Sequence, residues 1–288
     1  MSNVFFLSLP NADIAYRLYE NPLAKTDRTC LLLHGAGVAG DITYEPMLPH
    51  LTQWRWMLVP DLKGMGASFH QHGREAAVSI AELTDEVAAL VAHIDWHDFD
   101  VIAYSLGGLV ALNLNHRRCL QGQKSLKMAL LEPASLDRED LSLLKDVRQK
   151  YRYASGLIRD TGDVELGVAS FMDGVSPNRR KHPVAEATTQ SRLAHRPFGF
   201  AYALDAVTDF VETMSAQPLL RESMIASSEQ VFLFSGELSH EALKQHYELL
   251  SQQNTAWQHT SLSACDHSLP FQKPRQIANH INKWFAMV

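Results

Sequence analysis

Apolar and polar positions alternate along the first half of the chain in a pattern that predicts strands separated by helices. Residues 4–9 and 14–19 predict a β-hairpin around a turn at 10–13. Short apolar runs predict buried strands at 30–33, 54–60, 100–103 and 127–131. Helical spacing predicts helices at 79–94, opened by a capping box of Ser79 and Glu82, and at 106–115. This alternation is typical of a parallel sheet with helices on both faces.

The alternation stops near residue 135 and returns near residue 228. The intervening pattern is mostly helical, with candidate helices at 138–153, 163–172 and 202–214. Strands at 230–234 and 257–262 then alternate with helices at 240–251 and 274–285. The sequence therefore predicts an α/β core formed by residues 1–134 and 228–288, with a helical insertion at residues 135–227.

Composition and charge narrow the class of protein. The 288 residues are 46% hydrophobic and 20% charged, which is typical of a globular protein with a sizeable core. The net charge of −6 argues against nucleic-acid binding. No apolar run approaches the length of about 18 residues that a membrane span needs. The first 20 residues show no basic segment and no small-residue cleavage site, so we expect them to form the hairpin and not a signal peptide. Three widely spaced cysteines argue against a disulfide framework, so we expect a cytoplasmic protein.

Ser105 occupies the most informative position in the chain. It lies between the predicted strand at 100–103 and the predicted helix at 106–115, in the pattern Ala103-x-Ser105-x-Gly107. A serine at such a sharp turn is exposed at its tip, beside the N–H groups and the positive end of a helix. That environment stabilises an oxyanion, so Ser105 is a candidate nucleophile.

A serine hydroxyl needs a neighbouring imidazole to accept its proton. Of the 14 histidines, His267 alone lies on the loop between the last predicted strand and the last predicted helix. We therefore predict that His267 is the general base. His70 and His72 lack a third ligand at zinc spacing, and no motif predicts a dinucleotide or other cofactor, so we predict no metal and no cofactor.

Three further segments complete a resemblance to the α/β-hydrolase fold superfamily over essentially the whole chain. The loop His34-Gly35-Ala36-Gly37 resembles the HG-x-G loop of that family. Residues 61–68 resemble its D-x-R-G-x-G-x-S segment, with lysine at position 63, and residues 266–274 resemble its histidine segment. The resemblance implies a mostly parallel central sheet with helices on both faces, a helical cap, and the chain order of nucleophile before histidine.

The resemblance also implies an oxyanion hole and a reaction class. The backbone N–H groups of Leu106 and Ala36 are the expected donors, with Gly37 as the fallback. His34 is expected to support its loop by hydrogen bonds rather than to touch substrate. A serine nucleophile argues against dehalogenase and epoxide hydrolase chemistry, which needs an aspartate in this family.

The acid that orients His267 departs from the family pattern. Family members mostly carry it after the strand here predicted at 230–234, where this chain has Ser239 in place of aspartate. Glu132 directly follows the strand at 127–131, a position that some family members use, and is the first choice. Glu237 is the alternative, and Glu241 comes third. Asp266 is a poor orienter because it is the sequence neighbour of His267.

The expected activity is that of a serine esterase acting on a small, partly apolar molecule. Phe198 and Phe200 of the insertion, together with Tyr104, are the predicted pocket residues. Carbon–carbon bond hydrolases, lactonases, thioesterases and cofactor-free peroxidases of the family also use serine, so these activities stay open. A ligand-binding protein that retained the fold is a further alternative, which only the missing aspartate at position 239 favours.

Overall fold

A central sheet organises the protein, as seen in a computed structural model that describes residues 3–73 and 75–287. The described residues form nine strands. In chain order the strands are β1 (Phe5–Leu9), β2 (Ala12–Glu20), β3 (Arg28–Leu33), β4 (Trp54–Pro60), β5 (Phe69–His70), β6 (Asp100–Tyr104), β7 (Lys127–Leu131), β8 (Gln230–Gly236) and β9 (Trp257–Leu262).

Helices fill most of the remaining chain, together with one 3₁₀ turn at Leu48–His50. None of the helices within the described residues combines the length and apolar character needed to cross a membrane. In chain order the helices are α1 (Gly40–Tyr44), α2 (Ile80–His93), α3 (Leu106–Leu120), α4 (Leu141–Thr161), α5 (Val164–Val175), α6 (Pro183–Leu193), α7 (Pro197–Ala216), α8 (Pro218–Ala226), α9 (Glu241–Gln253), α10 (Leu269–Gln272) and α11 (Pro274–Ala286).

Strand order in the sheet is β1-β2-β4-β3-β6-β7-β8-β9, and β5 pairs with β2. The six strands from β4 to β9 in this order run parallel, whereas β1 and β2 form the predicted antiparallel hairpin, in which Leu9 pairs with Ala12. The predicted mostly parallel sheet is therefore confirmed. Its parallel strands end at one common edge, where the loops after β3, β6, β7, β8 and β9 meet.

Both faces of the central strands are buried, and successive side chains of each strand point to opposite sides. Leu31 and Leu33 of β3 join the apolar cluster that contains Leu83 of α2. Cys30 and Leu32 of the same strand join the cluster on the other face, together with residues of α11. Fully buried strands of this kind explain why the sequence shows continuous apolar runs instead of alternation.

Five helices, α4 to α8, form the insertion between β7 and β8. Tyr151, Phe171 and Phe200 belong to its own apolar cluster. The sequence predicted α4, α5 and part of α7, but it missed α6 and α8. In α6 only Leu193 is buried among the residues of the helix, so its apolar residues mark no continuous face. The division into core and cap at residues 135 and 227 stays a prediction.

Candidate active site

Ser105 lies at the tight turn from β6 into α3. Its backbone has φ 51° and ψ −114°, a conformation that costs an ordinary residue about 1–3 kcal/mol. Gly107 lets the turn form, because a Cβ at this position would lie 2.4 Å from the carbonyl oxygen of Leu33. The Ser105 N–H donates to the carbonyl of Leu131 over 3.0 Å, which ties the turn to β7. The strained turn presents the hydroxyl above the common edge of the parallel strands.

His267 lies on the loop between β9 and α10, with its Nε2 3.2 Å from the Ser105 Oγ. The side chain of Asp266 accepts from Gln272 Nε2 over 3.0 Å and from the Ser268 N–H over 2.8 Å, which closes the loop. Ser176 of the insertion accepts from the His267 N–H over 3.1 Å. Asp266 thus shapes the loop that carries the histidine, and its carboxylate has these partners instead of the imidazole.

Glu132 directly follows β7 and brings a carboxylate to the other nitrogen of the imidazole. Its Oε2 lies 2.7 Å from His267 Nδ1. Its Oε1 accepts from the Gly236 N–H over 2.7 Å and from the Ser239 hydroxyl over 2.5 Å. Glu132 is 1% exposed, and its backbone has the unusual positive φ of 44°. In this conformation its side chain reaches the end of β8 and the loop that carries His267. A carboxylate that only accepts requires the proton of His267 on Nδ1, which leaves Nε2 free to accept from Ser105.

The other candidate acids lie away from the imidazole. Glu237 is exposed, and its Oε2 accepts from the Ala264 N–H over 2.7 Å. Glu241 lies in the first turn of α9 and forms an ion pair with Lys244 over 2.8 Å. The alternative assignment of Glu237 is therefore not supported by geometry, because its backbone turns the side chain toward the loop after β9.

Leu106 and Ala36, which carry the two expected oxyanion donors, both lie close to Ser105. Leu106 is the first residue of α3, so its N–H has no acceptor within the helix. Ala36 follows His34-Gly35 and lines the same cavity as Ser105. The fallback donor Gly37 has its N–H 3.3 Å from Met65 Sδ, which favours Ala36 as the second donor.

His34 forms two hydrogen bonds with the backbone of its own loop and of the loop after β4. Its Nε2 accepts from the Leu62 N–H over 2.8 Å, so its Nδ1–H is the donor to the Gly35 carbonyl at 2.7 Å. Complete burial lowers the pKa of His34, because the interior disfavours the charged imidazolium. A neutral ring fits both hydrogen bonds.

Two small cavities meet at Ser105 and His267. One has a volume of about 30 Å³ and the other about 20 Å³. The larger is mostly apolar, and its lining includes Val38, Tyr104, Phe171, Arg192, Leu193 and Phe271. The smaller is more polar, and its lining includes Asp137, Arg148, Tyr151, Leu204 and Val207.

The predicted pocket residues fall in three different places. Tyr104 lines the larger cavity, and its hydroxyl donates to the His267 carbonyl over 3.0 Å. Phe198 is 42% exposed and Phe200 is fully buried, and neither lines the two cavities. Phe200 instead packs against the ring of Phe171 at a centroid distance of 5.2 Å. Burial raises the pKa of Tyr104 well above its usual value, so its hydroxyl stays a neutral donor.

Phe171, Arg192 and Phe271 are cavity residues that the sequence did not single out as a set. Phe171 stood among the aromatic residues of the insertion, but Arg192 belongs to the helix α6 that was not predicted. Phe271 follows the histidine in the matched segment 266–274, which is the signal that could have identified it. Within the described residues, no cluster of three histidine, cysteine, aspartate or glutamate side chains could hold a metal ion.

Solved structures similar to this chain share its fold. A haloalkane dehalogenase loop variant from Bradyrhizobium elkanii has a TM-score of 0.71 at 17% identity, covering 99% of this chain and 96% of that chain. A mutant of a putative epoxide hydrolase from Pseudomonas aeruginosa has a TM-score of 0.71 at 16% identity, with coverage of 99% and 96%. An AqdC variant, solved with its substrate to explain ring cleavage of the Pseudomonas quinolone signal, has a TM-score of 0.76 at 14% identity, with coverage of 99% and 100%.

Sequence comparison identifies the family more directly. No curated protein matches the chain at a significant level. A family model described as the alpha/beta hydrolase family matches residues 30–280, which include the nucleophile turn, the strand end at Glu132 and the histidine loop. The chain therefore belongs to the alpha/beta hydrolase family.

Proposed function

We propose that this protein is a serine hydrolase that cleaves an ester or related acyl bond of a small, partly apolar substrate. One observation carries the proposal, namely the hydrogen-bonded series from Ser105 Oγ to His267 Nε2 at 3.2 Å and from His267 Nδ1 to Glu132 Oε2 at 2.7 Å. A nucleophile, a base and an orienting acid in this arrangement serve acyl transfer in unrelated folds.

Each group has a distinct task in acylation. Ser105 Oγ attacks the carbonyl carbon while its proton moves to His267 Nε2. The negative oxygen of the tetrahedral intermediate accepts from the N–H groups of Ala36 and Leu106. Glu132 stabilises the imidazolium that forms and keeps its Nδ1–H in place. Collapse breaks the bond to the leaving alcohol, and His267 returns the proton to that oxygen.

Deacylation repeats the same steps with water as the nucleophile. Water adds to the acyl carbon of the ester on Ser105, and its proton moves to His267 Nε2. The acid product leaves when the bond to Ser105 Oγ breaks and His267 protonates that oxygen. The helices of the insertion, which we propose act as a cap at residues 135–227, place Tyr151 and Phe171 over this centre and limit its contact with water.

The other family activities have less support. Family resemblance assigns an aspartate nucleophile to dehalogenases and epoxide hydrolases, whereas this chain has Ser105. The ligand-binding alternative depended on Ser239 in place of an aspartate. Because Glu132 contacts His267 Nδ1 directly, that alternative has no specific observation in its favour.

Hydrolysis of p-nitrophenyl butyrate tests the proposal. We expect turnover by the natural chain, labelling of Ser105 by a fluorophosphonate, and a fall of kcat by at least about 10³-fold in Ser105→Ala. Ser191→Ala, at an exposed serine of α6, is the matched control and should leave kcat unchanged. A natural chain as inert as Ser105→Ala toward esters, lactones and thioesters, with no label on Ser105, would overturn the proposal.

A further inference from the structure

Arg192 projects from α6 into the wall of the larger cavity. Thr189 and Arg192 are three positions apart on this helix and therefore share a face, and both line the cavity that contains Ser105 and His267. The guanidinium carbon of Arg192 lies 4.3 Å from the centroid of the Phe271 ring. This cation–π contact holds the guanidinium over the ring and leaves its N–H groups available to other partners.

No acid of the described chain compensates this cation. Across residues 3–73 and 75–287, no side-chain or backbone acceptor lies within hydrogen-bond distance of the Arg192 guanidinium, and no carboxylate forms an ion pair with it. Neighbouring arginines of the insertion differ in this respect. Arg179 pairs with Asp173 over 2.7 Å, and Arg148 pairs with Asp137 over 2.6 Å.

The surroundings of Arg192 make its lack of an acid partner costly. Val38, Phe171, Met172 and Leu193 supply apolar surface to the same cavity. Partial burial lowers the pKa of Arg192, because the cation loses hydration without gaining a counter-charge. A planar cation held over an apolar cavity is complementary to a ligand that carries both an apolar part and a carboxylate.

We propose that Arg192 is a specificity-determining residue that binds a carboxylate of the substrate, so that the preferred substrates are esters carrying a second, free carboxylate. The carboxylate accepts from two N–H groups of the guanidinium, while the scissile carbonyl lies at Ser105. This inference deepens the proposed function and rests on it. It assigns the larger cavity to the charged part of the substrate, whether that part belongs to the acid or to the alcohol.

Two pairs of esters test the inference. For the acid side, the mono-p-nitrophenyl ester of adipic acid is compared with p-nitrophenyl hexanoate. For the alcohol side, 4-carboxyphenyl butyrate is compared with phenyl butyrate. The members of each pair differ in intrinsic reactivity. For each protein we therefore divide kcat/KM for the charged ester by kcat/KM for the neutral ester, and compare this ratio in each variant with the ratio in the natural chain.

We expect Arg192→Gln to lower this ratio about tenfold for at least one pair, as expected for loss of a charge-assisted hydrogen bond at a half-buried site. Arg192→Lys keeps the charge and should retain most of the preference. Arg180→Gln, at an exposed arginine of the same insertion, is the matched control and should leave the ratios unchanged. Added salt should lower the preference of the natural chain. Unchanged ratios for both pairs in Arg192→Gln would overturn the inference.

Failure of the inference and failure of the proposed function can be told apart. If neutral esters are cleaved in a Ser105-dependent way while Arg192→Gln changes neither ratio, only the inference is wrong. If no ester is cleaved, calorimetric titration of adipate and of the uncharged hexanamide into the natural chain and into Arg192→Gln tests the carboxylate site independently. A loss of affinity for adipate of about tenfold in Arg192→Gln, with no change for hexanamide, would support the carboxylate site. Equal affinities of the natural chain and Arg192→Gln for adipate would refute the carboxylate site.

Discussion

Replacing Glu132 by glutamine tests how the carboxylate controls the proton of His267. Oε1 of Glu132 accepts from the Gly236 N–H, which can only donate. In Glu132→Gln the amide oxygen therefore stays on Gly236, and the new NH₂ group faces His267 Nδ1. A donor in that place requires an unprotonated Nδ1, so the proton of the ring moves to Nε2. Nε2 can then no longer accept the proton of Ser105.

This change of tautomer sets the expected size of the effect. The acid-to-amide change in a serine protease triad leaves the geometry intact and lowers kcat by about 10⁴-fold, through the same error of tautomer. Because Glu132 is 1% exposed, water cannot replace the lost acceptor. We expect Glu132→Gln to lower kcat by about 10³- to 10⁴-fold, or about 4–5.5 kcal/mol of transition-state stabilisation. KM should change little, because no contact with the ground-state ester is removed.

The assay is steady-state hydrolysis of p-nitrophenyl butyrate, with thermal unfolding as the check that each variant is folded. Glu237→Gln is the matched control, since that side chain is exposed and contacts the Ala264 N–H instead of the imidazole. It should change kcat by less than about twofold. Retention of kcat within about tenfold in Glu132→Gln, with a large loss in Glu237→Gln, would refute both the assignment and the tautomer reasoning.

Two further predictions concern packing and pH. Gly107→Ala should lower the free energy of unfolding by about 1–3 kcal/mol and also lower kcat, because its Cβ would overlap the Leu33 carbonyl. Gly156→Ala is the control, since the atom nearest to its Cβ would be 3.4 Å away, and it should be neutral or stabilising. Urea unfolding measures both free energies. Burial, with repulsion by Arg221, lowers the pKa of His246 from 6.5 to about 4. The unfolded chain then binds more protons between these pH values, so stability falls as pH falls through this window, by about 3 kcal/mol at pH 4. His246→Gln should remove most of this dependence of the free energy of unfolding on pH, measured by urea unfolding. An unchanged dependence would refute the assignment to His246.

The fold and the centre of the site could be predicted because chain order constrains them strongly. Buried parallel strands read as apolar runs, and the residues that follow those runs must meet at one edge of the sheet. That rule predicts that Ser105, Glu132 and His267 lie near each other. It could not choose between Glu132 and Glu237, because the direction of a side chain after a strand depends on local backbone. The positive φ of Glu132 is invisible in the sequence.

The residues that line the cavities were harder to predict, because no rule of chain order fixes how a helix of the insertion is oriented over the site. The sequence predicts Phe198 and Phe200 together as pocket residues, yet residues two apart on a helix point to different sides. The first turn of α7 directs Phe200 into the apolar cluster of the insertion and Phe198 toward solvent. The sequence does not predict Arg192 as a site residue, because α6 buries only Leu193 and shows no apolar stripe that would mark the helix.

Ser239 stands after β8, where most members of the family carry an acid, and its hydroxyl contacts Glu132. Strands β7 and β8 are neighbours in the sheet, with Leu131 paired to Phe234, so carboxylates on the two strand ends would compete for the same space. The Ser239 hydroxyl donates to Glu132 over 2.5 Å, where an aspartate would place a second negative charge against the first. Two buried carboxylates this close cannot both be ionised without a large cost. Glutamate at 132 and serine at 239 therefore form a matched pair, so the serine that departs from the family pattern is part of how Glu132 is held beside His267.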